Sequence, residues 1–254
     1  MTVTVTSIAT APVKGFSLVP RGDVFVGPHG VVDNRRFFLV DGEGNRLRSS
    51  LTAWPIVVAG HYDEQREELS MRFPDGREIV ASALAGPESV RCICAGREVE
   101  ARIVDGPWTE PLSELAGHPV RLVRPNGVGE TLGEPVTLVS QASLDRLAEE
   151  AGQEIDARRF RMLFTIDGCR AHEEDEWNAR LVRVGDAVLR IGSPVERCAV
   201  TTRDPDTGER DLDTLQLIKD YRGNPREGKI DFGVYAQVDQ PGRIRVGDSF
   251  DFVE

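Results

Sequence analysis

The stretch VERCAVTTRDPDTGERD, residues 195–211, places a cysteine between a predicted strand and a tight turn. Cys198 follows the apolar end of the strand and precedes the turn-forming segment Asp204–Gly208. The neighbouring Arg197 and the hydroxyls of the two adjacent threonines would favour a thiolate, the form of cysteine that ligates metals or acts as a nucleophile. The residues alone leave open a second interpretation, in which Cys198 is a buried, inert cysteine.

Strand patterns dominate the chain on both sides of this motif. Val3 and Val5 alternate with threonines in a β-branched run of period two. Further strand-like runs cover residues 36–40, 55–59, 103–104, 120–123, 136–139, 160–166 and 187–191. Turns rich in glycine and proline separate these runs, which favours barrels or small sheets over alternating β–α–β units.

Three segments predict helices. The first helix begins at Thr109 as cap, has Pro111 in its first turn and ends at Gly117. The second carries an apolar stripe over 144–151 and ends at Gly152. The third is capped by Asp213 and ends at Gly223. The fold is therefore predicted to be α+β and predominantly β. The stretch from Pro125 to Gly133 is the best candidate for a domain boundary.

The charge balance excludes some classes of partner. The 254 residues include 31 Lys and Arg against 42 Asp and Glu, a net charge of −11, which disfavours nucleic acids and anionic membranes. Four cysteines are too few for a disulfide scaffold and indicate thiols in a reducing compartment. The start of the chain lacks a secretory pattern, and no apolar run approaches the roughly 20 residues needed to span a bilayer, so a soluble, cytoplasmic protein is expected.

Several familiar motifs are absent or weak. The chain has no phosphate-binding GxxxxGK[ST] loop, no strand-coupled GxGxxG, no GxSxG elbow and no HExxH pair. The pair Cys92 and Cys94 is interpreted as two buried small residues rather than a metal pair. The acidic run His172–Glu176 is interpreted as a solvated face, and Asp204–Gly208 as a tight turn rather than a calcium loop.

Three basic residues stand in apolar surroundings. Lys14 and Arg35 lie beside predicted strands, and Arg161 lies inside the predicted strand 160–166, on the same face as Leu163. Cations from such distant segments could converge on a phosphate, for which the guanidinium group is well shaped. Separate structural salt bridges are the alternative.

The cysteine motif RCAVTTRDPDTGERD, residues 197–211, closely resembles that of MOSC-domain proteins. The segments FRMLFTIDG (160–168), EDEWNARLVRVGDAVLRI (174–191) and FGVYAQVDQPGRIRVGD (232–248) fit the same family in order, and APVKG (11–15) and NRRFFLVDGEGN (34–45) resemble the region found before many MOSC domains. The resemblance implies an N-terminal β-barrel-like region over 1–124 and a MOSC β-barrel with a few helices over 125–254. The most similar branch is the amidoxime-reducing component, which uses a molybdenum cofactor (Mo-molybdopterin).

The resemblance also implies roles for individual residues. Cys198 matches the thiolate that ligates molybdenum. From their positions in the chain, rather than from the resemblance, Asp204 or Tyr235 is expected to assist proton delivery. The positions that match cofactor contacts are Lys14, Gly15, Arg35, Arg161, Glu196, Arg197 and Tyr235; Gly15 and Glu196 stand where relatives carry serine. Two departures are noted. Leu163 replaces an asparagine that contacts the cofactor, and Asn34 replaces an aspartate that would accompany Arg35.

The implied function is the reduction of N-hydroxylated compounds, namely amidoximes and hydroxylamines, with electrons from a separate reductase or ferredoxin-like protein. No nucleic acid or membrane partner is expected. A carrier of sulfur or of molybdenum cofactor that uses Cys198 is the alternative from another class, and a degenerate member that binds nothing is the third.

Overall fold

The computed structural model describes residues 2–31, 33–48, 52–94, 97–126, 135–223 and 228–253. Strands predominate in these ranges, as the period-two patterns predict. The strands are β1 (Thr4–Thr10), β2 (Val19–Arg21), β3 (Asp23–Gly27), β4 (Gly30–Val31), β5 (Phe38–Asp41), β6 (Ala59–Asp63), β7 (Glu68–Arg72), β8 (Glu78–Ser82), β9 (Ser89–Cys94), β10 (Arg97–Ile103), β11 (Val120–Pro125), β12 (Val136–Ser140), β13 (Phe164–Asp167), β14 (Leu181–Val184), β15 (Ala187–Glu196), β16 (Asp231–Gln240), β17 (Gly242–Arg245) and β18 (Phe250–Val253). The predominantly β, α+β fold is confirmed.

The largest sheet has eight strands in the order β18-β14-β15-β16-β12-β13-β1-β2. Within it, β12 and β13 run parallel, and β1 pairs antiparallel with β13 through partners such as Ile8 and Phe164. The N-terminal strand thus completes a sheet made mostly by the C-terminal half. Its core contains apolar residues from both, including Val5, Ile166 and Leu189.

Three smaller sheets complete the fold, in the orders β17-β3-β4, β5-β11-β10-β9 and β6-β7-β8. Strands β1 to β4 belong by pairing to the C-terminal half, because β1 pairs with β13 and β3 pairs with β17, whereas β11 pairs with β5 and β10 of the N-terminal half. The division at 124/125 stays a prediction. Most of the glycine-rich stretch that suggested it, residues 127–134, lies outside the described residues.

The predicted helices are α1 (Thr109–Ala116), α2 (Gln141–Ala151) and α3 (Thr214–Arg222). Gly117 and Gly152 end the first two in the left-handed conformation, and the Asp213 side chain caps α3 by accepting from the Gln216 amide. The predicted cap at Thr109 is wrong: Trp108 is the cap residue, without a side-chain hydrogen bond. In the described ranges, no helix is long and apolar enough to cross a membrane.

Two other local predictions are wrong. The run 55–59 forms a short 3-10 helix, Trp54–Val57, instead of a strand, because proline fits the first turn of a helix. Within the acidic run, Glu174 is fully buried and accepts hydrogen bonds from the Ser140 amide (3.1 Å) and the Ser143 hydroxyl (2.9 Å). That part of the run serves the start of α2 rather than the solvated surface.

Candidate cofactor site

A cavity of about 150 Å³ opens where segments from both halves of the chain meet. Its lining comes from the loops after β1 and before β5, from β12 and β16, from the approach to β13, and from the end of β15. The lining residues are Lys14, Gly15, Arg35, Thr137, Phe160, Arg161, Met162, Val195, Glu196, Arg197, Cys198, Val200 and Tyr235. All the residues that the resemblance assigned to cofactor contact therefore lie around one space, although they span more than 200 positions of sequence.

Cys198 is exposed and begins a 3-10 turn, Ala199–Thr202, directly after β15. The turn is tied back to the cysteine: the amide and the hydroxyl of Thr201 both donate to the Cys198 carbonyl, at 3.1 and 3.2 Å. The Thr202 hydroxyl donates to Ala199 O at 2.8 Å. The two threonines thus shape the backbone of the turn and do not donate to the sulfur, in contrast to the role suggested by the sequence.

Arg35 and Arg161 both have positive φ, 55° and 53°, in the left-handed region that non-glycine residues seldom adopt. Hydrogen bonds hold this geometry: the Arg35 amide donates to Ala11 O (2.6 Å), and Arg35 Nη2 donates to Arg161 O (2.7 Å). Arg161 Nη2 in turn donates to Phe16 O (2.5 Å). Such strain persists where the surroundings enforce it and is common at binding sites.

The cavity carries a concentrated positive charge. Burial lowers the pKa of Arg161 to about 9 and that of Arg197 to about 10, and it also lowers the pKa of Arg35. Repulsion from Arg35 and then Arg197 adds to the effect on Arg161. Among the described residues, no carboxylate forms an ion pair with these three guanidinium groups. A bound anion would restore the lost solvation of these cations, and guanidinium groups bind oxyanions well.

Arg197 shows that donors are left for such an anion. Its Nη2 donates to Phe160 O (2.5 Å), its Nη1 lies 3.8 Å from Met162 Sδ, and its guanidinium stands 5.3 Å from the Phe160 ring centroid. Its Nε is buried without a hydrogen-bond partner in the described part of the chain. Buried donors of this kind are normally satisfied, so the cavity fits an anionic group with several acceptor oxygens.

The other predicted cofactor residues contribute differently. Burial raises the pKa of Tyr235, so its hydroxyl remains protonated at neutral pH. Gly15 has φ 96°, a conformation suited to glycine, while the amide of Lys14 donates to Phe37 O (2.8 Å). The Glu196 side chain is exposed and pairs with Lys229 at 3.3 Å.

The strand predicted over 160–166 is wrong in its first half. A 3-10 turn, Ala157–Phe160, ends at Arg161, and β13 begins only at Phe164. The left-handed Arg161 changes the direction of the chain, so Leu163 does not share its surroundings. Leu163 is buried in the core of the large sheet and does not line the cavity, so the expectation that it shares a face with Arg161 is wrong.

Asn34 also has a structural role, because its Oδ1 accepts from the Ala11 amide at 3.2 Å. Asp204 does not line the cavity. Its Oδ1 accepts from the amides of Asp206 (3.0 Å) and Thr207 (2.8 Å), which hold its pKa below the ordinary value and close the predicted tight turn.

Sequence reasoning missed five lining residues: Thr137, Phe160, Met162, Val195 and Val200. The two valines lie within three residues of Cys198 and could have been proposed from that proximity. No sequence signal marks Thr137, since it reaches the cavity only through the pairing of β12 with β16. In the described ranges, no group of three His, Cys, Asp or Glu side chains could hold a metal, and the side chain of Cys94 lies outside them.

A family profile described as the MOSC domain matches residues 121–251, just over half of the chain. The chain belongs to the MOSC domain family. The match covers Arg161 and the following strand β13, the cysteine motif and Tyr235, while Lys14 and Arg35 lie outside it.

Curated relatives support the branch that the motifs suggested. Mitochondrial amidoxime-reducing component 1 of Mus musculus is 40% identical over 121 residues, which cover 45% of this chain and 35% of that protein. The Homo sapiens protein of the same name is 26% identical over 276 residues, covering 96% and 81%. The more similar match thus spans about a third of its relative.

Two solved structures resemble the fold weakly. The YUAD protein of Bacillus subtilis has a TM-score of 0.46 at 10% identity, covering 98% of this chain and 94% of that one. YiiM from Geobacillus stearothermophilus has a TM-score of 0.36 at 20% identity, covering 48% and 55%.

Proposed function

We propose that this MOSC-family protein is a molybdenum-cofactor oxidoreductase that reduces N-hydroxylated compounds, amidoximes and hydroxylamines among them. The observation that carries the proposal is the cavity, in which an exposed cysteine shares one space with Arg35, Arg161 and Arg197, which form no ion pair with a carboxylate among the described residues. The similarity to proteins named amidoxime-reducing components supports the choice of reaction.

The residues present suit such a cofactor. Cys198 would supply the single protein ligand to molybdenum, as a soft thiolate. Arg35, Arg161 and Arg197, with Lys14, would hold the phosphate and the polar edge of the pterin. When bound, the cofactor supplies two-electron redox chemistry at the metal.

The chain's own part in the reaction is binding and proton supply. Reduction of an N–OH group to N–H and water consumes two electrons and two protons. Tyr235 lines the cavity with a phenol hydroxyl, which is more acidic than the alcohol of Thr137 and stays protonated at neutral pH, so it is a candidate donor to the departing oxygen. Asp204 stands outside the cavity in this arrangement and would serve the turn after Cys198. The electrons would come from a separate donor protein.

A second function, a carrier of sulfur or of cofactor, is favoured by one observation. Cys198 is exposed and therefore open to a partner that delivers or removes a sulfur atom. A carrier would hold a labile persulfide on Cys198 and would not retain the metal.

The deciding measurement is the molybdenum and pterin content of protein purified from a host that makes the cofactor. We expect near-stoichiometric metal in the wild type, a sharp loss in Cys198→Ser, and no loss in the matched control Cys169→Ser, because the half-buried Cys169 lies outside the cavity. Wild-type protein without metal and pterin would refute the enzyme, and a persulfide on Cys198 would then establish the carrier.

Proton supply is tested on the metal-loaded protein with a reduced viologen dye as electron source. Tyr235→Phe should lower the turnover of an amidoxime while leaving metal content unchanged. Equal turnover in both proteins would remove Tyr235 from the mechanism.

A further inference from the structure

The Asp-rich segment after Cys198 is clamped to the turn that carries Arg161. Arg159 donates to both carboxylate oxygens of Asp211, at 2.7 and 2.5 Å. The adjacent Arg158 donates to both oxygens of Asp206, at 2.7 and 2.8 Å. Two neighbouring arginines thus bind one loop through bidentate hydrogen bonds, which fix the relative orientation of the two side chains.

The two pairs differ in burial. In the first pair, Arg159 is 8% exposed and Asp211 is 43% exposed, whereas in the second pair Arg158 and Asp206 are 39% and 68% exposed. Solvent and salt weaken an ion pair more strongly the more its two side chains are exposed. The pair of Arg159 and Asp211 is therefore the stronger part of the clamp.

Each end of this pair is linked to a wall of the cavity. On one side, Arg159 belongs to the turn Ala157–Phe160, which ends at the left-handed Arg161. On the other side, the Asp211 amide donates to Thr202 O (3.2 Å), in the turn that begins at Cys198. Arg161 and Cys198 lie in different segments, and this ion pair joins those segments outside the cavity.

We propose that Arg159 and Asp211 are positioning residues, whose ion pair holds the Arg161 segment against the Cys198 segment and so sets the affinity of the cavity for oxyanions. The inference rests on the proposed function in that the cofactor is the phosphate-bearing ligand concerned. In this proposal, the carboxylates of the Asp-rich loop bind the arginines of the neighbouring turn and do not bind a substrate or a calcium ion.

The test uses the full chain without cofactor and inorganic phosphate as the probe. Its dissociation constant is measured from the rise in melting temperature with phosphate concentration, at ionic strength held constant with chloride. We expect Asp211→Asn to weaken phosphate binding at least tenfold, since it keeps the size of the side chain but removes its charge. Asp206→Asn should weaken it less, because its pair is exposed.

The matched control is Glu88→Gln, which breaks another paired contact, from Arg121 to Glu88 at 2.6 and 2.8 Å, away from the cavity. It should leave the phosphate affinity at the wild-type value. Asp211→Asn and Glu88→Gln with equal phosphate affinities would overturn the positioning role, as would wild-type protein that does not bind phosphate. Failure of the proposed function would be recognised separately, by the absence of metal and pterin from wild-type protein that still binds phosphate.

Discussion

Acidification should destabilise this protein through His172. The ring lies between the aromatic rings of Tyr221 and Phe232, with centroids 5.7 and 5.6 Å away, and its Nε2 stands 3.0 Å from the Tyr221 hydroxyl. Burial, and then the positive charges of Arg222 and Arg146, lower the pKa of His172 from 6.5 to about 4.

The sign and size of the effect follow from this pKa. Between pH 6.5 and 4 the unfolded chain binds a proton at His172 that the folded chain does not, so the free energy of unfolding falls as the pH falls. For this shift, the loss between pH 7 and pH 5 is about 2 kcal/mol. Burial raises the pKa of Glu174 and Asp175, which act with the opposite sign, so the histidine must be isolated by comparison with a variant.

The suitable variant is His172→Asn, because asparagine does not titrate and tolerates the left-handed backbone at this position, φ 61°. The assay is urea unfolding from pH 7.5 to pH 5, followed by tryptophan fluorescence. The free energy of unfolding of the variant should fall by about 2 kcal/mol less than that of the wild type across this range. Equal pH dependence in the wild type and His172→Asn would refute the reasoning.

Two further changes test how the cavity is supported. Thr214→Val should lower the free energy of unfolding in urea by about 1 to 2 kcal/mol, because the buried Thr214 hydroxyl donates to the Thr201 hydroxyl at 2.7 Å. Thr214→Ser should recover most of that loss, and equal stability of the two variants would contradict the role of the hydroxyl. Gly233→Ala should lower the free energy of unfolding by about 3 kcal/mol. Gly233 has φ 73°, and an added Cβ would lie 2.5 Å from Met162 Cε and 2.6 Å from Leu138 O. The matched control Gly117→Ala, also left-handed but in open space, should cost about 1 kcal/mol, and equal losses would show that crowding at Gly233 is unimportant.

Much of the secondary structure was predictable because its signals are local. The cap at Asp213 and the glycines that end α1 and α2 act within a few residues of their position, and the structure confirms them. The prediction of a strand over 160–166 was wrong because the deciding contacts are not local. Alternation of apolar residues does not reveal a left-handed residue such as Arg161, whose conformation depends on hydrogen bonds to Arg35 and Phe16.

The candidate site also combines features that the sequence determines with features that depend on the tertiary structure. The chain by itself determined the chemistry available, a cysteine motif and basic residues in apolar surroundings, because side-chain chemistry is independent of folding. Only the tertiary structure decided which groups meet: pairing of β1 with β13 and of β12 with β16 brings Lys14 and Thr137 to the cavity, and the same packing directs Leu163 into the core. Such contacts join residues far apart in the chain, and no local pattern specifies them.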